Sequence, residues 1–146
     1  MNLRAWFQEG KLRQHQTSPE EIGNLLQLVK RDIEDANVQT ISADRRFATA
    51  YNAVLQLGTI LLYGQGYKPY GTGHHFIVFQ AMKEILGKKY DTLADYFDSC
   101  RAKRNITDYT YAGGISEEEV KELIKEAKSF LPIVLKWVKT NHPNLI

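Results

Sequence analysis

Apolar residues recur every three or four positions along most of this chain, the spacing of one buried helix face. Ile22, Leu25, Leu26, Val29, Ile33 and Ala36 form the first such stripe. Ser18 before it reads as an N-cap, with Pro19 in the first helical position and Glu21 closing a capping box, so a helix is expected from there to about residue 36. Ser42 can cap a second helix, whose stripe is Phe47, Tyr51, Val54, Leu55, Gly58, Leu61 and Leu62. Ala50, Leu57 and Ile60 make its opposite side apolar too, which predicts a central helix touched from several directions. It should stop near Tyr63, where Gly64-Gln65-Gly66, Pro69, Gly71 and Gly73 interrupt the pattern. A third helix is expected from about His74 to Leu86, with Val78, Phe79, Met82, Ile85 and Leu86 inward and Gly87 as its stop. The fourth starts near Asp91 and buries Leu93, Tyr96, Phe97 and Cys100. The last opens on a second capping box, Ser116 to Glu119, and runs through Val120, Leu123, Ile124, Ala127, Phe130, Leu131, Val134 and Val138. Pro132 predicts a kink in it.

No segment alternates with the period of a strand, so the expected fold is all-α, an up-and-down antiparallel bundle of about five helices. One domain should span residues 1–146, with residues 1–17 as a short N-terminal extension. Composition narrows the setting rather than the activity. A net charge of +2 is compatible with a nucleic-acid partner and far too mild to require one. The single cysteine, Cys100, excludes an internal disulfide and argues against a cysteine-based zinc site, which points to a reducing cytoplasm. The N-terminal residues lack a signal-peptide core, and no run approaches the roughly 20 apolar residues of a membrane span, so no membrane partner is expected.

The fourth stripe contains the chemical anomaly. One helical step beyond Cys100, where an apolar side chain is due, stands Arg104. In an up-and-down bundle the end of this helix shares a pole with the end of the second, the start of the third and the start of the last. That pole would collect Tyr63, Tyr67, Tyr70, His74, His75, Arg101, Arg104, Asp108, Tyr109 and Tyr111. A simpler reading has Arg104 pairing with Asp108 four residues on while its stem completes the core edge, and Tyr109 and Tyr111 plugging the bundle end. No carboxylate or cysteine stands at a ligand spacing from the adjacent histidines, so neither a metal nor a cofactor is expected. Histidines at a helix N-terminus beside two arginines suit an anion better, and phosphate is the natural candidate. The charged residues between Glu117 and Lys128 read as a solvated helix face.

The stretch RAKRNITDYTY, followed by ISEEEVKELIKEAKSFLPIV, resembles the arginine block, short loop and final amphipathic helix of the HEPN superfamily, and GTGHHFIVFQAM is similar to the preceding hairpin of some bacterial members. The resemblance covers most of the chain from the second helix onward. It implies a homodimeric helical bundle, and in catalytic members a metal-independent ribonuclease whose motif is Arg, four to six residues, His. Arg104 matches the arginine and Asn105 the polar residue after it. Tyr109 stands where the Arg-x4-His-x-Tyr variant has histidine, and Tyr111 where it has tyrosine. A phenol is a poor base at neutral pH, so the missing imidazole argues against catalysis.

Three readings follow. The first is a non-catalytic, dimeric module that binds a nucleotide or RNA phosphate through Arg104, Asn105, Arg101, His74, His75, Tyr109 and Tyr111 and docks a partner, with a nucleotidyltransferase as the partner the resemblance implies. The second is a ribonuclease toxin of a toxin–antitoxin pair in which Arg104, His74, His75 or Tyr109 carries catalysis and Tyr111 is a site of adenylylation by that partner. The third is a helical dimer without ligand.

Overall fold

The computed structural model describes residues 2–71, 74–109 and 112–146, and every side chain in these stretches except those of Asp108 and Tyr109. Its elements are α1 (Leu3–Gln8), β1 (Leu12–Gln14), α2 (Pro19–Ala36), α3 (Ala43–Gly64), β2 (Tyr67–Pro69), α4 (His74–Leu86), α5 (Asp91–Tyr109) and α6 (Glu117–Asn141), with short 3-10 turns at Lys88–Tyr90 and Pro143–Leu145. The fold is an all-α bundle with one small two-stranded sheet.

Serine hydroxyls start three of the long helices. Ser18, Ser42 and Ser116 accept hydrogen bonds from the backbone N–H groups of Glu21, Arg45 and Glu119 respectively. Only the last forms a full capping box. At α2 the Glu21 carboxylate turns outward instead, accepting from the Thr17 hydroxyl at 2.6 Å and lying 2.7 Å from His15 Nε2. These two contacts hold the Glu21 carboxyl below the ordinary glutamate range against a partial burial that pushes the other way. Helix α6 is continuous through Pro132. Both Pro132 and Lys128, whose carbonyl loses its donor, lie on the exposed face, where water can replace the missing bond.

The core is built around α3, with the rings of Tyr51, Phe79, Phe97 and Phe130 carrying contact from α3 through α4 and α5 to α6 at centroid spacings of 6.0, 5.9 and 5.3 Å. Gly58 lets α4 approach α3, since a Cβ there would stand 2.5 Å from Val78 Cγ1.

Helix directions decide what meets what. Near its N-terminus α3 touches the first turn of α6 through Arg46 and Glu117, and at its C-terminus Gly64 lies under the Trp137 ring. Helices α3 and α6 therefore run the same way, while α5 runs against α6, with Lys103 on Glu119 and Phe97 on Phe130. The chain does not turn directly from α3 into α4. Strand β2 first pairs antiparallel with β1, Leu12 opposite Pro69 and Gln14 opposite Tyr67. This detour returns His74 and His75 to the level of Tyr51, about 20 Å back along α3. Of the stretch 1–17, expected as an extension, the described residues 2–17 thus belong to the fold, with Trp6 and Leu12 buried against Leu62, Ile77 and Ala81. Three-residue strands are too short to display an alternating pattern, which is why the sequence reading has none.

Cys100 lies in the core, and burial pushes its thiol up to about 11. Thiolate is the reactive form, so the native protein should resist iodoacetamide at pH 8 and take up one adduct by intact mass in urea. Equal labelling rates in the two conditions would mean that the α5 face opens freely.

Candidate functional site

Arg101 and Arg104 stand one turn apart near the C-terminus of α5. The Arg104 guanidinium carbon lies 5.8 Å from the Tyr51 ring centroid, and that of Arg101 lies 5.9 Å from the ring of Phe76 on α4. Arg101 Nε donates to Asp98 Oδ1 at 2.8 Å, which raises the Arg101 pKa further, and Arg104 Nη1 donates to Asn105 Oδ1 at 3.3 Å. Opposite them, the Tyr51 hydroxyl and His75 Nδ1 are 3.1 Å apart, and the rings of His74 and His75 stack at 5.1 Å with an interplanar angle of 17°. Side-chain rotation closes the roughly 100° between adjacent helical positions that separates them on the backbone.

Electrostatics give these groups distinct states. Burial pulls the His75 pKa below its ordinary value, and the charges of His74, Arg104 and Arg101 lower it further. Burial drives the Tyr51 phenol well above the usual tyrosine range although Arg104 and Arg101 pull the other way, so it stays a neutral hydroxyl and holds the His75 ring in place. The cluster presents two fixed cations, a neutral imidazole oriented by Tyr51 and a second, exposed imidazole. Among the described residues no group of three or more histidine, cysteine or carboxylate side chains could hold a metal ion.

Of the residues the sequence assembles at one pole, Arg101, Arg104, His74 and His75 do lie together, with Asn105 beside Arg104. Tyr63, Tyr67 and Tyr70 do not, because α3 ends at the opposite pole. Tyr63 packs on His15 at 4.4 Å, Tyr67 on Phe7 at 5.7 Å, and Tyr70 lies under the Arg13 guanidinium at 4.2 Å. Tyr111 and the side chains of Asp108 and Tyr109 lie outside the described residues, so the Arg104–Asp108 pairing does too.

A groove lies on the other side of Arg104, among residues that no sequence motif brings together. A cavity of about 1120 Å³ opens between α2, α3 and the end of α5, lined by Asp32, Asp44, Arg46, Asn52, Arg104 and Thr107 among others. Arg46 is 1 % exposed, donating from Nε to the Ala36 carbonyl at 2.8 Å and from Nη1 to Glu117 at 2.7 Å. The buried Asp32 accepts from Asn52 Nδ2 at 2.6 Å and from Arg31. A signal for Arg46 was available: it falls four residues before Ala50 and eleven before Leu57, in phase with the second apolar side of α3. For Tyr51 the signal was a hydroxyl on a core stripe, which must find a partner.

Compared with protein-family models, curated proteins and solved structures, the chain has no significant match in any of the three.

Proposed function

We propose that this chain is a HEPN-type helical module that binds a phosphate of a nucleotide or RNA between the end of α5 and the start of α4, acting as a homodimer that docks a partner, with a nucleotidyltransferase as the candidate. The observation that carries the ligand part is the convergence of Arg101, Arg104, His74 and His75 around Tyr51 from three helices. Guanidinium groups suit phosphate through paired, charge-assisted hydrogen bonds. An imidazole kept neutral by burial and neighbouring cations gains a proton readily once an anion offsets those charges. Asn105 adds a side-chain amide beside Arg104.

The sign of the pH dependence follows. In the free protein His75 titrates below 6.5, and a bound phosphodiester raises that value, so binding takes up a proton in the interval between the two. Affinity for a diribonucleotide, whose single phosphate is ionised throughout, should be flat above the bound value, increase as pH falls through the interval, and level off below the free value. NMR titration of the histidine resonances at several pH values measures both quantities. Unmoved His74 and His75 resonances at saturating diribonucleotide would remove the anion site from this cluster.

A metal-independent ribonuclease is the second reading, favoured by one observation: His75 is a neutral imidazole beside two guanidinium groups, the residue type the motif lacks at Tyr109. If it is right, wild type cleaves RNA in the presence of chelator, while His75→Ala and Arg104→Ala do not. Absence of cleavage by wild type leaves the binding module and the ligand-free dimer, which the diribonucleotide titration separates.

A further inference from the structure

The lysines of α6 gather on one side. Its buried face carries Val120, Leu123, Ile124, Ala127, Phe130, Val134 and Val138. Glu119 and Glu122 flank α5, Glu119 paired with Lys103 and Glu122 near enough to Tyr96 to help raise its pKa, while in the first turn Glu117 pairs with Arg46 and Glu118 with Lys121. The other flank carries Lys121, Lys125, Lys128, Lys136 and Lys139, which at intervals of four, three, eight and three residues fall in one row, with Pro132 in the gap. All five are exposed, and the row is about 27 Å long. Lys121 has one distant pairing, 3.7 Å to Glu118, and no ion pair among the described residues involves the other four. Net charge is only +2, so this concentration of one sign is a local feature of α6.

The row borders a depression. Asn37 and Gln39, just beyond α2, face Lys121, Lys125, Lys128 and Ser129 across a groove of about 370 Å³. Arg46 lies between this groove and the larger cavity walled by Arg104, and the N-terminal end of the row is at the end of the bundle where Lys103 of α5 meets Glu119.

We infer that this lysine row is a track for the sugar–phosphate backbone of an RNA strand that extends beyond the nucleotide held at Arg104. The inference rests on the proposed function and names its substrate as a strand rather than a mononucleotide. Charge complementarity selects the occupant: a line of ammonium groups with amide and hydroxyl donors beside it matches a linear polyanion. None of the large exposed apolar side chains of the described residues, Val38, Ile41, Tyr70, Phe76, Ile106 and Ile146, belongs to α6. A protein partner or a membrane surface would use such anchors.

The test uses a single-stranded oligouridylate long enough to span α6, a diribonucleotide, and poly-glutamate of matched charge, with wild type and the double variant Lys125→Gln, Lys128→Gln. Both substitutions are on the exposed face, and unchanged circular dichroism and melting temperature establish the fold. The variant should bind the diribonucleotide as wild type does, bind the oligouridylate several-fold more weakly, and show a log–log salt slope shallower by about 1.4. An unchanged oligouridylate affinity and slope would overturn the track even if the diribonucleotide binds normally. Diribonucleotide binding that is absent from both proteins, with the salt slope still reduced, would support the track and reject the phosphate site. Tighter binding of poly-glutamate than of RNA, lost in the variant, would reassign the row to an acidic protein and overturn the proposal.

Discussion

Arg46→Ala should destabilise the protein by about 3–5 kcal/mol, and Glu117→Ala, which leaves the buried guanidinium without its ion-pair partner, by about 1–3 kcal/mol. Arg46 is 1 % exposed, so Glu117→Ala strands a buried charge. In Arg46→Ala the Glu117 side chain, 56 % exposed, is rehydrated, and the larger loss comes from the arginine's own packing and hydrogen bonds. Arg46 does three things that a lone exposed pair does not. Its stem fills core volume among α2, α3 and α6. Its Nε donates to the Ala36 carbonyl, one of the unsatisfied groups at the end of α2, and its charge lies at the favourable end of that helix dipole. Its Nη1 reaches the first turn of α6. Removing the side chain leaves a cavity and a carbonyl without its donor, each worth on the order of 1–3 kcal/mol. For a chain of this length the combined loss corresponds to a melting temperature lower by about 10–16 °C. Urea unfolding of both variants measures the difference. Equal losses for Arg46→Ala and Glu117→Ala would mean that the ion pair itself, not the buried guanidinium, carries the stability.

The helices were legible because their signals are local. Ser18, Ser42 and Ser116 each cap the helix expected after them, and the apolar stripes of α2, α3, α4 and α6 are the buried faces. What stayed hidden depends on long-range packing. The β1–β2 pair joins residues more than fifty positions apart through strands of three residues, and it decides that α4 starts beside Tyr51 instead of at the end of α3. That single connection moves Tyr63, Tyr67 and Tyr70 away from the arginines and brings the histidines to them. Arg46 is hidden for a different reason: an arginine in phase with an apolar stripe reads as a snorkelling side chain until the helix end that it caps is known.

Arg104→Ala should weaken diribonucleotide binding on the order of 100-fold, the effect of losing about 3 kcal/mol of charge-assisted hydrogen bonding. Arg104→Lys should recover only part of it, because an ammonium supplies the charge but not the planar pair of donors that fits a phosphate. Arg101→Ala should cost less, since Arg101 is already committed to Asp98 at 2.8 Å. The three variants separate binding from folding. Arg104 is half-buried, with its guanidinium carbon 5.8 Å from the Tyr51 ring centroid, so its truncation loses some packing but opens no deep cavity. Fluorescence-detected titration, with circular dichroism to confirm the fold, gives the comparison. Wild-type affinity in Arg104→Ala would place the anion elsewhere and leave this arginine a structural residue of the bundle pole. An intermediate Arg104→Lys between a weak alanine variant and wild type would identify a site that reads both charge and shape. That discrimination fits a phosphate on a strand better than a diffuse counter-ion, because only the former presents paired oxygens to a fixed fork of donors.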